Sequence, residues 1–255
     1  MTHDEKRQYL IRALLEERNE TSPIPRGTRA QRDLLRSLMN VRRPAPIGDE
    51  FLRIQDEYLE EVIAEKGVTH LADLRPADGV LYIWQGDITT LECDAIVNAA
   101  NSDMTGCYVP CHNCIDNCIH TYAGIQLRNT CAQMIARQGH AEPTGRAKLT
   151  PAYDLPCKYV IHTVGPIVSG RLTQEHRDLL AACYRSCLET AAAHGCGSIA
   201  FCCISTGVFG FPQRAAAGIA VDTARRYLAE TGSEIKVIFN VFKDEDAQIY
   251  RDLLC

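Results

Sequence analysis

From Thr2 to about Gly67 the apolar residues recur at helical spacing: Leu10, Ala13 and Leu14, then Leu34, Leu35, Leu38 and Met39, then Phe51, Ile54, Tyr58 and Val62. Steps of three and four put each set on one face of a 3.6-residue helix, which predicts three amphipathic helices. Prolines divide them at Pro23 to Gly27 and at Pro44 to Gly48, because proline lacks a backbone donor and turns the residue before it away from helix. Asp49 stands where the third helix needs an N-cap. Leu71 to Gly79 reads as an irregular connector ending in the turn Pro76-Ala-Asp-Gly79.

Beyond Gly79 the pattern changes. Short runs rich in β-branched and aromatic residues predict strands at Val80 to Trp84, Ala95 to Asn98, Tyr159 to Val164, Ser198 to Ile204 and Ile235 to Val241. Helical stretches follow near Ile115 to Gln138, Thr173 to His194, Pro212 to Glu230 and Asp244 to Leu254. This alternation predicts an α/β fold with a largely parallel sheet between helices. Ligands of such sheets bind beyond the carboxyl ends of the strands. The expected division is an N-terminal helical extension over residues 1–79, packed on an α/β domain over residues 80–255.

Bulk composition narrows the function classes. At 46% hydrophobic and 23% charged, the chain matches globular averages rather than disordered or fibrous ones. Its longest apolar runs, such as Ile199 to Ile204, fall far short of the roughly 20 residues of a membrane span. A net charge of -5 argues against a nucleic-acid backbone as the main partner. The arginines crowding the first 43 residues are interleaved with acids, as on a solvated helical surface. Thirteen cysteines fit either a disulfide-bonded secreted protein or a reduced one that uses some thiols for metal. Met1 to Glu20 is charged throughout with no apolar signal core, which predicts a cytoplasmic protein with reduced thiols. Cys183, Cys187, Cys202 and Cys203 lie in apolar surroundings and read as core.

Three strand-end stretches carry candidate chemistry. In Gln85-Gly-Asp-Ile-Thr89, the Asp87 carboxylate suits an exocyclic amine or a ribose hydroxyl, and equally a turn or cap. Asn98-Ala-Ala-Asn101 sets two amides around small residues, a space suited to a planar or sugar group or to turn stabilisation. Ser205-Thr-Gly-Val-Phe-Gly210 precedes a helix begun near Pro212, where exposed backbone N–H groups suit a diphosphate. It is neither a Walker loop nor a dinucleotide fingerprint.

Together with Ile119-His-Thr-Tyr-Ala-Gly124 and Ile161-His-Thr-Val-Gly-Pro166, these stretches occur in the order of a macrodomain, over about Val80 to Leu254. The chain resembles that family, and the resemblance implies a three-layer α/β/α sandwich with a mixed, largely parallel sheet that binds ADP-ribose. It further implies that Asp87 and Ile88 hold the adenine, that Asn101 serves the distal ribose with Asn98 and Ala99 also among the ligand-binding residues, and that Ser205, Thr206, Gly207, Val208, Phe209 and Gly210 cradle the diphosphate. Phe209 would also pack on that ribose, while His120 and His162 are read as structural.

After Asn101 the chain departs from the common pattern. Where the most similar hydrolytic macrodomains carry glycines and then Val-Asp-Gly, this one reads Gly106-Cys-Tyr-Val-Pro-Cys-His-Asn-Cys-Ile-Asp-Asn117. Cys107, His112 and Cys114 form a C-x4-H-x-C set of the thiolate and imidazole donors that zinc selects. Cys111 and Cys118 are close rivals. Four cysteines from Cys107 to Cys118 could instead close a structural site. Against that, Cys118 falls on a helix with Ile115 and Ile119, and the loop lies where a scissile ribose bond is expected. The arrangement resembles the zinc-dependent macrodomains, which implies a hydrolase freeing ADP-ribose from mono-ADP-ribosylated protein, with Asp116 and Asn101 as catalytic candidates. That resemblance also makes a sirtuin-type ADP-ribosyltransferase a candidate source of the modification. A non-catalytic reader of ADP-ribose and a deacetylase of O-acetyl-ADP-ribose use the same pocket.

Overall fold

The computed structural model describes residues 1–254; Cys255, the last residue of the expected 80–255 unit, lies outside the described residues. Three helices come first: α1 (His3–Glu17), α2 (Thr28–Val41) and α3 (Asp49–Lys66). Thr2 and Glu5 cap α1 reciprocally, satisfying two of the free N–H groups of the first turn. Asp49 does not cap α3. Gly48 holds that position without a side-chain bond, and Asp49 begins the helix, where its charge faces the positive end of the dipole. Leu10, Leu14, Leu35, Leu38, Phe51, Ile54 and Tyr58 form the core of this bundle, and Ile125 from farther along the chain completes it.

Two short strands, β1 (Thr69–His70) and β2 (Pro76–Asp78), precede β3 (Leu81–Gln85), β4 (Leu91–Glu92) and β5 (Ala95–Ala99). Helices α4 (Ile115–Tyr122) and α5 (Ile125–Gln138) follow, then β6 (Ala147–Pro151), β7 (Tyr159–Thr163), α6 (Gln174–Ala193), β8 (Ser198–Phe201), α7 (Gln213–Thr231), β9 (Lys236–Val241) and α8 (Asp244–Leu254). The main sheet has the order β2-β3-β9-β8-β5-β7-β6. Its five inner strands are parallel, and the two edges, β2 on β3 and β6 on β7, are antiparallel. Helices α6, α7 and α8 pack side by side, and α4 and α5 pack together against β5 and β6. The result is the expected α/β sandwich with a mixed, largely parallel sheet.

The five inner strands are the five expected ones. Both edges were missed, because Ala147-Lys-Leu-Thr-Pro151 and Pro76-Ala-Asp78 lack the continuous apolar run of a strand buried on both faces. The strand expected over Ser198 to Ile204 stops at Phe201. Cys202 and Ile204 are still buried, so they are apolar for packing beneath a loop rather than for pairing.

The single helix expected over Ile115 to Gln138 is two. Gly124 adopts φ +83° between α4 and α5, and a Cβ there would stand 2.5 Å from side-chain atoms of Gln126 and Gln55 and 2.7 Å from Asp154. The break delivers Ile125 to the bundle core, with its N–H donating to Gln55 Oε1 at 3.1 Å. Cys183, Cys187 and Cys202 are buried and Cys203 partly so. No helix of the described residues is long and apolar enough to cross a membrane.

Candidate functional site

The predicted residues gather at the carboxyl ends of β3, β5 and β8. After β3, Asp87 caps a single 3-10 turn over Ile88–Thr90. Its Oδ1 accepts from Thr89 N–H at 3.0 Å and Thr89 Oγ1 at 2.6 Å, and its Oδ2 pairs with Lys66 of α3 at 2.5 Å. Burial alone would raise this carboxyl, but the bonds from Lys66 and Thr89 outweigh it and hold the group below the ordinary aspartate range. Lys66 also lies 3.7 Å from the centre of the Tyr122 ring. Ile88 is buried beside it.

The two asparagines after β5 have different surroundings. Asn98 is fully buried, and its Nδ2 donates to Asp116 Oδ1 at 2.8 Å and lies 3.2 Å from His162 Nδ1. It stands behind the carboxylate. Ala99 is half-buried at the strand end. Asn101 Nδ2 donates to the Gly106 carbonyl at 3.0 Å and reaches Asp116 Oδ2 at 3.4 Å, while its Oδ1 accepts from Asp103 N–H. Gly106 has φ +81°, and a Cβ there would stand 2.8 Å from the His120 ring. Only glycine lets the backbone enter the next loop so close to that imidazole.

Asp116 lies in the first turn of α4 and is 6% exposed. Burial raises its carboxyl to about 6, against the Asn98 hydrogen bond and the Arg128 charge, both of which lower it. Burial also drives His120 well below, and His162 down to about 3, so both imidazoles are neutral near pH 7. His120, Cys131 and His162 bring donor atoms within 4.8 Å of one another. His162, however, has its Nδ1 beside Asn98 and its Nε2 3.0 Å from Thr150 Oγ1, as in a packed polar core.

The loop before α4 carries a second donor set. The candidate ligand atoms of Cys107, His112 and Cys114 all lie within 4.8 Å of one another, and Cys107 Sγ is 3.6 Å from His112 Nδ1. Cys114 is the N-cap of α4, accepting from Asn117 N–H. Its thiol is pushed up to about 12, chiefly by burial. The two rivals face elsewhere. Cys111, at φ +53°, donates its thiol to the Asp33 carbonyl at 3.3 Å, and Cys118 Sγ lies 3.6 Å from Arg36 Nη2.

Beyond β8, Ser205 takes φ +64° and Gly210 φ +69°. The loop closes on itself through Gly210 N–H to Gly207 O and Phe211 N–H to Ser205 O, each at 3.0 Å, and Val168 N–H donates to Phe209 O at 2.8 Å. Among the described residues, the N–H groups of Gly207, Val208 and Phe209 find no acceptor, while Thr206 Oγ1 turns back to Cys203 O. Val208 is 87% exposed and Phe209 half-buried. Three free amides thus precede the uncapped start of α7, the kind of backbone donors that suit an anion.

Sequence reasoning missed the residues that come from a distance. Lys66, Arg36 and Asn40 reach the site from α2 and α3, and Arg128 of α5 donates to the carbonyls of Met39, Asn40 and Arg42 at 3.0, 2.7 and 2.7 Å. No local pattern signals these contacts; a lysine in the last turn of a helix is common for its dipole alone.

Residues 97–220 match the Macro domain family. Over 260 residues, all of both chains, the protein is 57% identical to one from Treponema medium named "Protein-ADP-ribose hydrolase". It is 50% identical over 251 residues, 97% of this chain and 94% of the relative, to a Staphylococcus aureus (strain Mu50 / ATCC 700699) protein of the same name. The Trypanosoma brucei macrodomain in complex with ADP-ribose superposes with a TM-score of 0.67 at 31% identity, over 86% of this chain and 95% of that one. The Oceanobacillus iheyensis macrodomain with ADP gives 0.61 at 37%, over 68% and 88%. With such identity over the whole length, and with the strand-end loops in the same sheet, the chain belongs to the macrodomain family.

Proposed function

We propose that the protein is a zinc-dependent hydrolase that removes ADP-ribose from mono-ADP-ribosylated protein side chains by breaking the bond at the distal ribose. The observation that carries this reading is one loop that brings the converged donors of Cys107, His112 and Cys114 next to the buried carboxyl of Asp116. The names of the two hydrolase relatives support the substrate class, and the buried free thiols support a reducing, cytoplasmic setting.

The donor set fits the metal. Bonds of about 2.3 Å to sulfur and about 2.0 Å to nitrogen in a tetrahedron separate those two atoms by about 3.5 Å, against the 3.6 Å between Cys107 Sγ and His112 Nδ1. Cys107, His112 and Cys114 would hold the ion, which when bound would supply Lewis acidity.

The chain's own residues bind and orient the substrate. Asp87 and Ile88 take the adenine, and the free N–H groups of Gly207, Val208 and Phe209 take the diphosphate. Asn101 and Phe209 bound the distal ribose, while Ser205, Thr206 and Gly210 shape the diphosphate loop and Ala99 leaves room beside it. Asp116, fixed by Asn98, orients the ribose hydroxyls or the attacking water. That water adds to the anomeric carbon as the bond to the side chain breaks, and its proton leaves with the departing group. A sirtuin-type transferase as source of the modification rests on the resemblance to zinc-dependent relatives.

Metal analysis of the purified protein, joined to a release assay on mono-ADP-ribosylated protein with and without chelator, tests the proposal. One zinc per chain and chelator-sensitive release of ADP-ribose are expected. Full release by metal-free protein refutes the zinc. Tight ADP-ribose binding without release makes the protein a reader, and activity confined to O-acetyl-ADP-ribose makes it a deacetylase.

A further inference from the structure

The N-terminal helices do more than cover the domain. Asp33, Arg36 and Asn40 are spaced three and four apart on α2, which puts them on one helix face, and each one touches the donor loop or the start of α4. The Asp33 carbonyl accepts the Cys111 thiol at 3.3 Å. Asn40 Oδ1 accepts from Cys111 N–H at 2.9 Å, and its Nδ2 donates to Thr121 Oγ1 at 2.9 Å. Arg36 Nη2 donates to the His112 carbonyl at 2.7 Å and to Asn117 Oδ1 at 3.1 Å.

Asn117 extends that grip. It is fully buried, and its Nδ2 donates to the carbonyls of Cys107 at 3.3 Å and Val109 at 3.0 Å. One guanidinium is thus joined directly to the backbone of His112 and, through one amide, to the backbone of Cys107. Arg128 holds the other end of the arrangement by binding the last carbonyls of α2.

We propose that Arg36 is a positioning residue for the metal centre, with α2 as a clamp that keeps Cys107 and His112 in register for the ion. The inference rests on the metal reading above. Groups that orient ligands without touching the ion change its affinity by about 10-fold to 100-fold when removed. A planar guanidinium that bonds two acceptors from a fixed plane is not equivalent to a flexible ammonium.

Arg36 also lines a cavity of about 380 Å³ between α2, α3 and α4, so replacing it does not open a void in a close-packed core. Arg32 lines the same cavity but pairs with Glu65 at 2.7 Å instead of touching the loop, which makes it a control on the same helix.

The test measures the rate at which zinc-loaded, full-length protein surrenders its metal to a chromogenic chelator. Arg36→Met keeps the apolar stem and removes the donors; Arg36→Lys restores one charge; Arg32→Met removes the control cation. ADP-ribose affinity by calorimetry reports the fold of each variant. Zinc release from Arg36→Met should be at least about ten-fold faster than from the wild type, with Arg36→Lys in between, Arg32→Met unchanged and ADP-ribose affinity held within about two-fold. Release from Arg36→Met at the wild-type rate overturns the clamp while leaving the metal reading intact. Equal acceleration in Arg32→Met, or loss of ADP-ribose binding in both Arg36 variants, also overturns it, since the effect would then be a general loosening. A wild type that binds no zinc overturns the metal reading and the clamp together.

Discussion

Replacing Asp154 with Asn should stabilise the protein at pH 8 and have little effect near pH 4. Asp154 lies between β6 and β7, against α3, and its buried Oδ2 has no hydrogen-bond partner among the described residues. Burial first, then the charges of Asp56 and Glu60, raise its carboxyl from the ordinary 3.8 to about 8. The folded chain therefore keeps this proton over a window in which the unfolded chain has already released it. A raised folded value makes the contribution to stability complete below about pH 4, and it is lost progressively as the pH climbs through about 8.

At about 1.4 kcal/mol per pH unit, an interval of roughly four units sets a ceiling near 6 kcal/mol. Asp154 is only partly buried, and solvent screens the repulsion from Asp56 and Glu60, so about 1–2 kcal/mol is the expected difference. The amide has the shape of the protonated acid and carries no charge to repel Asp56 and Glu60. Urea denaturation of both proteins at pH 4, 6 and 8 reads the effect, because titrations common to the two cancel in the difference. Stability curves that run parallel across those pH values, or a variant less stable than the wild type at pH 8, would refute the reasoning.

Two further substitutions probe the cleft. Asp116→Asn keeps an acceptor for Asn98 and removes the carboxylate, so single-turnover release should slow by about 10²-fold to 10³-fold while calorimetric ADP-ribose affinity stays within a few-fold; equal loss of both would reduce Asp116 to a binding group. Lys66→Met removes the ammonium that pairs with Asp87 at 2.5 Å, a half-exposed contact worth at most about 1 kcal/mol, so ADP-ribose should bind about three-fold to five-fold more weakly with zinc content unchanged. Unaltered affinity would separate α3 from ligand binding.

What the sequence reveals follows from how far each signal reaches along the chain. The five inner strands are legible because a strand buried on both faces must be apolar throughout. Edge strands such as β6, with Lys148 and Pro151 in five residues, carry no such demand. Gly124 is the visible sign that α4 and α5 are separate, but the reason for the break, Ile125 docking into a bundle made of residues before 60, lies in contacts no local window contains. Asn98 and Asn101 read alike as amides at a strand end. Burial alone sets Asn98 behind Asp116 and leaves Asn101 at the cleft.

The donor loop makes the same point with the chemistry held constant. Cys107, Cys111, Cys114 and Cys118 are identical side chains within twelve residues; the C-x4-H-x-C spacing favours Cys107 and Cys114 but leaves Cys111 and Cys118 as close rivals. The rivals are drawn off from more than seventy residues away, where the Asp33 carbonyl takes the Cys111 thiol and Arg36 lies against Cys118. Only Cys107 and Cys114 are left to converge on His112. A loop of soft donors closed by four ligands would be inert, since catalysis needs a position free for water or substrate. The helical extension that engages Cys111 and Cys118 therefore bears on which donors of the loop converge, and deleting residues 1–66 should rearrange this loop before it changes the sheet.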